Sequence, residues 1–551
     1  MNVRRLLVPF QHGPPKLAGS QRRAGSGGAA AGSIRRVVGT ALVPSLSDFL
    51  FLSLLVWLFA ASATGWSALL ADGDTGWHIR TGQYILEGGG LPQRDLFSFS
   101  KPGAPWFAWE WLSDVALGWL ERQAGLKGVV LLAAAAACAS ITLVFRHLLW
   151  RGGNLFVALA ASFLGAGAST IHYLARPHVF TLALLPASMW LLDRDRREPS
   201  AAVWWLVPLA ALWVNVHGGF LALLVCLALV AAGTAMEELV AKTRGEGSWK
   251  RVRRYAGLLS ACSLATLLNP YGVRLHAHIL EYLRSEWIRE AVHEFQSPRF
   301  RSEAMTQFEV LLFAGLLVAG GLLARRQFTD ALLVLAWAHA ALVSVRHIPV
   351  YVVVATPVWA SYASRWWDRW AAGRPARSLP RIFQGVASDA ARGFRRTSLW
   401  IPLALAALAL NLWPVQWPRD FPEEKFPVRL IERHGAALRT ARVFTSDQWA
   451  DYLIYRFYPR QRVFLDGRSD FYGPELGKLY LKLSYAQADW DDAARRYGFE
   501  LVLASREWPL VALLKRHPGW RVVEEDRSAV LFEPAAEPGL KKTHSSTEIA
   551  Q

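Results

Sequence analysis

Cysteine is scarce: Cys138, Cys226 and Cys262 are the three in 551 residues, far apart and each inside an apolar run. That spacing supports neither a disulfide framework nor a cysteine-based metal site, and reads as small buried hydrophobes. Charge is sparse too, at 19% of residues, against roughly 25% in an ordinary soluble domain. No Walker-type phosphate loop, Rossmann fingerprint or HExxH motif occurs, so ATP-driven transport and zinc proteolysis lack their usual signatures. What is abundant is apolar: 53% hydrophobic residues and 26 Trp, with a positive mean hydropathy. This excludes a soluble enzyme of several packed domains and excludes disorder. A polytopic membrane protein remains.

The net charge of +18 resides in three segments. Residues 1–40 carry seven bases and no acid, residues 242–254 six bases and one acid, and residues 365–397 eight bases and two acids. Basic excess confined to stretches between apolar spans follows the positive-inside rule. Topology thus accounts for the basic excess, and no nucleic acid is expected as a partner. Arg4-Arg5 is not followed soon enough by an apolar run with a cleavage site to read as a secretion signal.

A spanning helix needs about 20 mostly apolar residues. Eleven candidates stand near 48–71, 126–146, 154–173, 178–192, 201–215, 219–237, 255–269, 306–324, 328–345, 348–364 and 398–416. From a cytoplasmic N-terminus, the connections holding Arg146 and Arg151, Arg194 to Arg197, 242–254, Arg325-Arg326 and 365–397 all fall inside. The expected organisation is a basic disordered cytoplasmic tail (1–40), a transmembrane domain (41–416), a small α/β domain (417–535) outside the membrane, and a disordered end (536–551). In the α/β domain ARVFTS, QRVFLDG, FELVLA, WRVVEE and AVLFEP read as strands, and QWADYLIYRFY as a helix.

Two outer loops, 72–125 and 270–305, are too long for turns. In the first, Glu110, Asp114 and Glu121 fall within about 40° of one another at about 100° per residue. Three carboxylates among Trp106, Trp109 and Trp119 suit a helix lying in the membrane interface better than a span. The second holds LHAHILEYLRSEWIREAVHEF, also amphipathic.

Asp72, Asp74 and His78 follow the first span directly. Asp74 is placed to N-cap the helix beginning TGWHIR. At the mouth of a membrane cavity it could equally accept a proton, since low dielectric raises carboxylate basicity; the two roles are compatible. His172, Arg176 and His178 close the third span, and Arg346 with His347 the ninth. Arg suits phosphate, and snorkelling to headgroups is the alternative for both arginines and the expectation for each His. Asn215, His217 and Gly218-Gly219 read as a tight turn, Asn269-Pro270-Tyr271-Gly272 as a helix stop, and Asp466, Arg468 and Asp470 as charges of a surface turn.

The stretch DTGWHIRTGQYILEGGGLPQRD is similar to the first outer loop of the oligosaccharyltransferase catalytic subunit, at Asp74, Trp77, His78, Arg80, Pro92 and Asp95. Trp449-Ala450-Asp451-Tyr452 resembles that family's Trp-Trp-Asp-Tyr-Gly element with the second Trp and the Gly missing. The family lies in the GT-C superfamily, and the resemblance implies a GT-C-like membrane glycosyltransferase using a sugar on a polyprenyl phosphate. It implies Asp74 as catalytic acid or base, with Asp72 and His78 beside it. Arg176, Arg346 and Arg80 would hold the donor phosphate, and Trp449, Asp451 and Tyr452 the acceptor. The second outer-loop metal acids of oligosaccharyltransferases have no counterpart in STIHYLARPHV, so the cofactor stays open, a divalent cation included. Expected partners are membrane lipid, the polyprenyl-linked donor, and a glycan, lipid or protein acceptor, at a bacterial inner membrane with the C-terminal domain periplasmic. A transporter or flippase of lipid-linked glycans and a non-catalytic envelope scaffold stand as alternatives.

Overall fold

The computed structural model describes residues 42–61, 65–241, 249–391, 398–412 and 415–535. The expected tails 1–40 and 536–551, and parts of the two internal basic segments, lie outside the described residues.

Every apolar run anticipated above contains helix. α1 (Leu46–Val56) starts in a capping box, where Ser45 and Asp48 satisfy each other's backbone N–H. The run continues through a π turn at Trp57–Ala61 and a 3-10 turn at Gly65–Leu70 into α2 (Asp74–Tyr84). Then come α3 (Trp111–Ala124), α4 (Leu126–Trp150), α5 (Leu155–Ala168), α6 (His178–Arg197), α7 (Leu206–Trp213), α8 (Phe220–Val240) and α9 (Lys250–Ala265). The second long loop folds as α10 (Val273–Arg284) and α11 (Glu286–Ala291), followed by α12 (Glu303–Ala324), α13 (Phe328–Val343), α14 (Ile348–Ala372), α15 (Leu379–Ala390) and α16 (Trp400–Ala409).

Among the described residues, Leu126–Trp150, Phe220–Val240 and Met305–Ala324 are long and apolar enough to cross a membrane, and five shorter apolar helices accompany them. α4 packs on α1, α6 and α14, and α13 packs on α8, α12 and α14. Large apolar side chains such as Phe313, Leu317, Leu264 and Leu239 remain exposed on the bundle's outside, a surface suited to hydrocarbon. The NPYG segment stops its helix as expected: Asn269 Oδ1 accepts from Tyr271 N–H while Nδ2 donates to Thr266 and Gly272 carbonyls. At the opposite end of the bundle from Asp74, Arg151 and Arg196 are neutralised by Asp193 and Asp330, and Arg254 by Asp195.

The C-terminal region adds α17 (Val428–Arg433), α18 (Gly435–Leu438), β1 (Val443–Thr445), α19 (Asp447–Phe457), α20 (Ser469–Ser484), α21 (Trp490–Tyr497), β2 (Leu501–Ser505), α22 (Pro509–Leu514), β3 (Trp520–Glu525) and β4 (Ala529–Pro534). The sheet order is β1-β2-β4-β3, with β1 parallel to β2 and the other pairs antiparallel. QRVFLDG is not a full strand. Its Val463 bridges Val443 on one side and Ser98 of the first long loop on the other. Val463 N–H donates to Phe97 O at 2.8 Å and Phe99 N–H donates to Val463 O at 2.9 Å. The segment is recruited to stitch the C-terminal domain to that loop.

α2 is the hub. Its glycines let three backbones meet: a Cβ at Gly73 would lie 2.2 Å from Gln448 O, at Gly76 2.4 Å from Asp451 O, and at Gly82 1.8 Å from Asp114 O. α2 is thus pressed between α19 and α3, and the acidic face of α3 turns onto α2. Asp114 shares a hydrogen bond with His78, and Glu121 accepts from Gln83 and Tyr455. Gly82→Ala is expected to destabilise by about 1–3 kcal/mol through overpacking. Gly257→Ala, on α9 with nothing within 4 Å of the added carbon, is expected to be neutral or stabilising by up to about 1 kcal/mol. Thermal unfolding of the two variants side by side checks this.

Candidate active site

The start of α2, the turn before α6 and the loop after α11 converge on one guanidinium. Arg176 Nη1 donates to Asp72 Oδ2 at 2.7 Å and to Asp74 Oδ2 at 2.8 Å, and Nη2 to Glu294 Oε1 at 2.5 Å. Three carboxylates around one cation leave the group net negative. The helix cap falls to a different residue than expected. Asp72 Oδ1 accepts from Asp74 N–H at 3.0 Å, so Asp72 serves the free backbone donor and Asp74 is the first helical residue. That frees the Asp74 carboxylate for Arg176. Burial first, then the neighbouring Asp72, pushes the Asp74 carboxyl up to about 7 against the opposing pull of Arg176. Burial acts the same way on Glu294, but there Arg176, His172 and Arg346 prevail and hold it below the carboxylate range.

These groups line a cavity of about 680 Å³. One part of its wall is polar: Asp72, Asp74, His78, Glu110, Arg176 and Glu294 with His172, His217, Arg346 and His347. Another is apolar, built from bundle helices: Leu182 and Leu185 of α6, Leu221 and Val225 of α8, and Val350 and Val353 of α14. The second long loop and the C-terminal domain close it with Tyr282, Trp287, Asp447, Gln448, residues 467–470 and Tyr472. Arg346 stacks on Phe295, its carbon 4.4 Å from the ring centroid. Its Nη1 is buried with no hydrogen-bond partner. A desolvated guanidinium N–H of this kind is costly unless a ligand supplies the acceptor.

The other predicted residues sort clearly. His78 lines the cavity and shares a 2.5 Å hydrogen bond with Asp114. Burial lowers its imidazole and raises the Asp114 carboxyl, so the pair favours its neutral form. Arg80 does not line the cavity; its guanidinium donates to Tyr455 O and Gln83. Trp449 and Tyr452 also turn away from the cavity. Trp449 Nε1 donates to Lys425 O at 2.9 Å and Tyr452 Oη to Asp420 at 2.8 Å. Their rings are core packing for α19. Asp451 is buried directly behind Asp74 with Oδ2 unpartnered.

Two expectations are corrected. Asp466, Arg468 and Asp470 are not surface-turn charges. Arg468 is buried, with Nη2 donating to Asp466 at 2.6 Å and to Asp95 at 2.7 Å; its carbon lies 4.6 Å from the Trp106 ring. The Asp of the PQRD element thus ties the first outer loop to the C-terminal domain. Asp470 faces the cavity and pairs with His278 at 2.9 Å. Nor are His172, His178 and His347 merely turned to headgroups, since all three line the cavity. His217 Nδ1 accepts from Gly219 N–H at 3.0 Å and lies 2.8 Å from Thr181 Oγ1, which receives Trp213 Nε1–H. Its Nε2 side therefore faces Glu110, at 3.6 Å. Burial pushes the Glu110 carboxyl up to about 8. Glu110 and Glu294 escaped the sequence reading because their partners come from distant segments. Among the described residues, no group of three or more His, Cys, Asp or Glu is arranged to hold a metal ion.

No family model and no curated protein matches the chain. Solved structures similar to it include the Archaeoglobus fulgidus oligosaccharyltransferase tethered to an acceptor peptide, with TM-score 0.48 and 12% identity over 92% of this chain and 74% of that one. The archaeal oligosaccharyltransferase AglB in complex with an inhibitory peptide and a dolichol-phosphate gives 0.48 and 12% over 93% and 75%. ArnT from Cupriavidus metallidurans bound to undecaprenyl phosphate gives 0.43 and 14% over 92% and 99%.

Arg468→Met, which leaves Asp95 and Asp466 as uncompensated buried carboxylates, is expected to cost about 3–5 kcal/mol, read as a fall in thermal stability of the purified chain.

Proposed function

We propose that this chain is an integral membrane glycosyltransferase that takes a sugar from a polyprenyl-phosphate donor and passes it to an acceptor at the outer face of a bacterial inner membrane. The observation that carries this reading is a single cavity with a charged end, bearing Asp74 and Arg346, and an apolar wall along α6, α8 and α14. An amphiphile with an anionic head and a hydrocarbon tail matches that division.

Asp74 is the base. It removes the proton from an acceptor hydroxyl or amide as the acceptor attacks the anomeric carbon, the bond from that carbon to the phosphate oxygen breaks, and the bonding pair leaves with the phosphate. Arg346 is the better-placed phosphate ligand, because its Nη1 is unpartnered while Arg176 is occupied by three carboxylates. Arg176 keeps Asp74 in place and opposes the rise of its carboxyl. The Asp74 carboxyl near 7 suits a general base working at neutral pH. A central polar path would favour a transporter, loop acids paired or capping a scaffold, and Asp74 with an Arg on one shared cavity an enzyme; Asp74 is paired with Arg176, and it shares the cavity with Arg346. Here Asp72 caps while Asp74 faces the cavity.

In membranes supplied with the matching donor, Asp74→Asn is expected to lower transfer by about 10²-fold or more. Wild-type turnover is expected to rise with pH through about 7 as the carboxylate ionises, then level off. Arg346→Ala is expected to weaken donor use more than acceptor use. Full transfer by the Asn variant, measured by mass spectrometry of lipid-linked sugars and envelope glycans, would refute the assignment.

A further inference from the structure

Asp451 is buried in the packing between α19 and α2, and no ion pair involves it among the described residues. Its Oδ1 accepts from Gly467 N–H at 3.2 Å, and its Oδ2 is buried with no hydrogen-bond partner. A Cβ at Gly467 would lie 1.9 Å from Asp74 Oδ1 and 2.9 Å from Asp451 Oδ2. The two carboxyl oxygens therefore border the same small space, and Gly467 is the residue that leaves it open. Gly467 has ordinary backbone angles, so the absence of a side chain, not a left-handed conformation, is what the position needs.

The charges facing this space decide what occupies it. From α19 come Asp447 and Asp451 itself, from the following loop Asp466, and from α2 Asp74. Arg176 reaches Asp74 but makes no contact with Asp451, and Arg468 is engaged by Asp466 and Asp95. A second ionised carboxylate here would meet like charge with no cation in contact, whereas a protonated Asp451 can donate from its otherwise orphaned oxygen.

We propose that Asp451 is the positioning partner of Asp74: it keeps a proton on Oδ2, directed across the gap at Gly467 toward Asp74 Oδ1, and so orients Asp74 and sets its basicity. Two carboxyl groups held this close titrate as a pair that retains one proton. Burial and the adjacent Asp74 raise the Asp451 carboxyl well above its usual range, in agreement with the geometry. The role rests on Asp74 being the base, and it differs from the acceptor contact that the family resemblance suggests for this position.

The test uses the full chain in lipid nanodiscs, labelled with carbon-13 at Asp carboxyls and titrated by infrared spectroscopy, a readout that needs no turnover. Asp451→Asn is expected to remove one protonated-Asp band at neutral pH. Asp74→Asn is expected to keep that band but lower its titration midpoint by about one pH unit or more, because a like charge has gone. The band is assigned by difference from the double variant. An unchanged neutral-pH band in Asp451→Asn, or an unmoved midpoint in Asp74→Asn, overturns the pairing. Should Asp451→Asn fail to fold, as a thermal melt would show, Asp451→Glu, which keeps a carboxyl but loses the Asp label, assigns the band in its place. Where transfer is measurable, Asp451→Asn is expected to shift the pH profile of kcat with KM little changed. A transferase reading that failed with the infrared result intact would leave the pair as a proton-sharing element of a different site.

Discussion

Arg176 among Asp72, Asp74 and Glu294 is the interaction on which the rest depends. Burying ions is expensive, and a buried cation survives only with close, well-aligned partners. Here the partners outnumber the cation, so burial first, and then the excess negative charge, leave Asp74 as a carboxyl that holds its proton near neutrality. Removing the guanidinium would leave three carboxylates in a partly dry cavity. Glu294 belongs to the second long loop and Asp72 to the first, so the same ion cluster also fastens the loops over the bundle.

The C-terminal domain acts as a wall of this site. Gly467 presses its backbone against the acids of α2 and α19, and Arg468 carries the connection back to Asp95 through a buried ion triad surrounded by aromatic rings. The pairing of Val463 with Phe97 and Phe99 adds backbone hydrogen bonds between the same two regions. Glycines 73, 76 and 82 have the matching role on α2. Each replaces a side chain with contact between backbones, which holds the catalytic candidates to the precision of main-chain packing rather than of flexible side chains.

Much of this was legible in the residues. The apolar runs, the outer-loop acids, the NPYG stop and four of five C-terminal strands are local patterns, and local patterns survive folding. The misses share one cause. DGRSD reads as a polar turn because nothing nearby in the chain reveals that Asp95, Phe97 and Trp106 will enclose its arginine. Glu110 and Glu294 look like amphipathic-helix charges until His217 and Arg176 arrive from more than a hundred positions away. Trp449 and Tyr452 match a motif in letters, yet their side chains point into the packing of α19 and away from the cavity.

Sequence by itself determined the greasy helical character of residues 41–416, the mixed α/β character of the tail, and the placing of an acid just beyond the first apolar run. These follow from hydropathy and periodicity, which act over a few turns of chain. Only the tertiary structure decided that Asp72 caps while Asp74 faces the cavity, that Arg346 keeps an unpartnered nitrogen while Arg176 is saturated, and that Asp451 stands behind Asp74. Ionisation and hydrogen bonding depend on which groups meet in low dielectric, and that is set by contacts no short stretch of sequence contains.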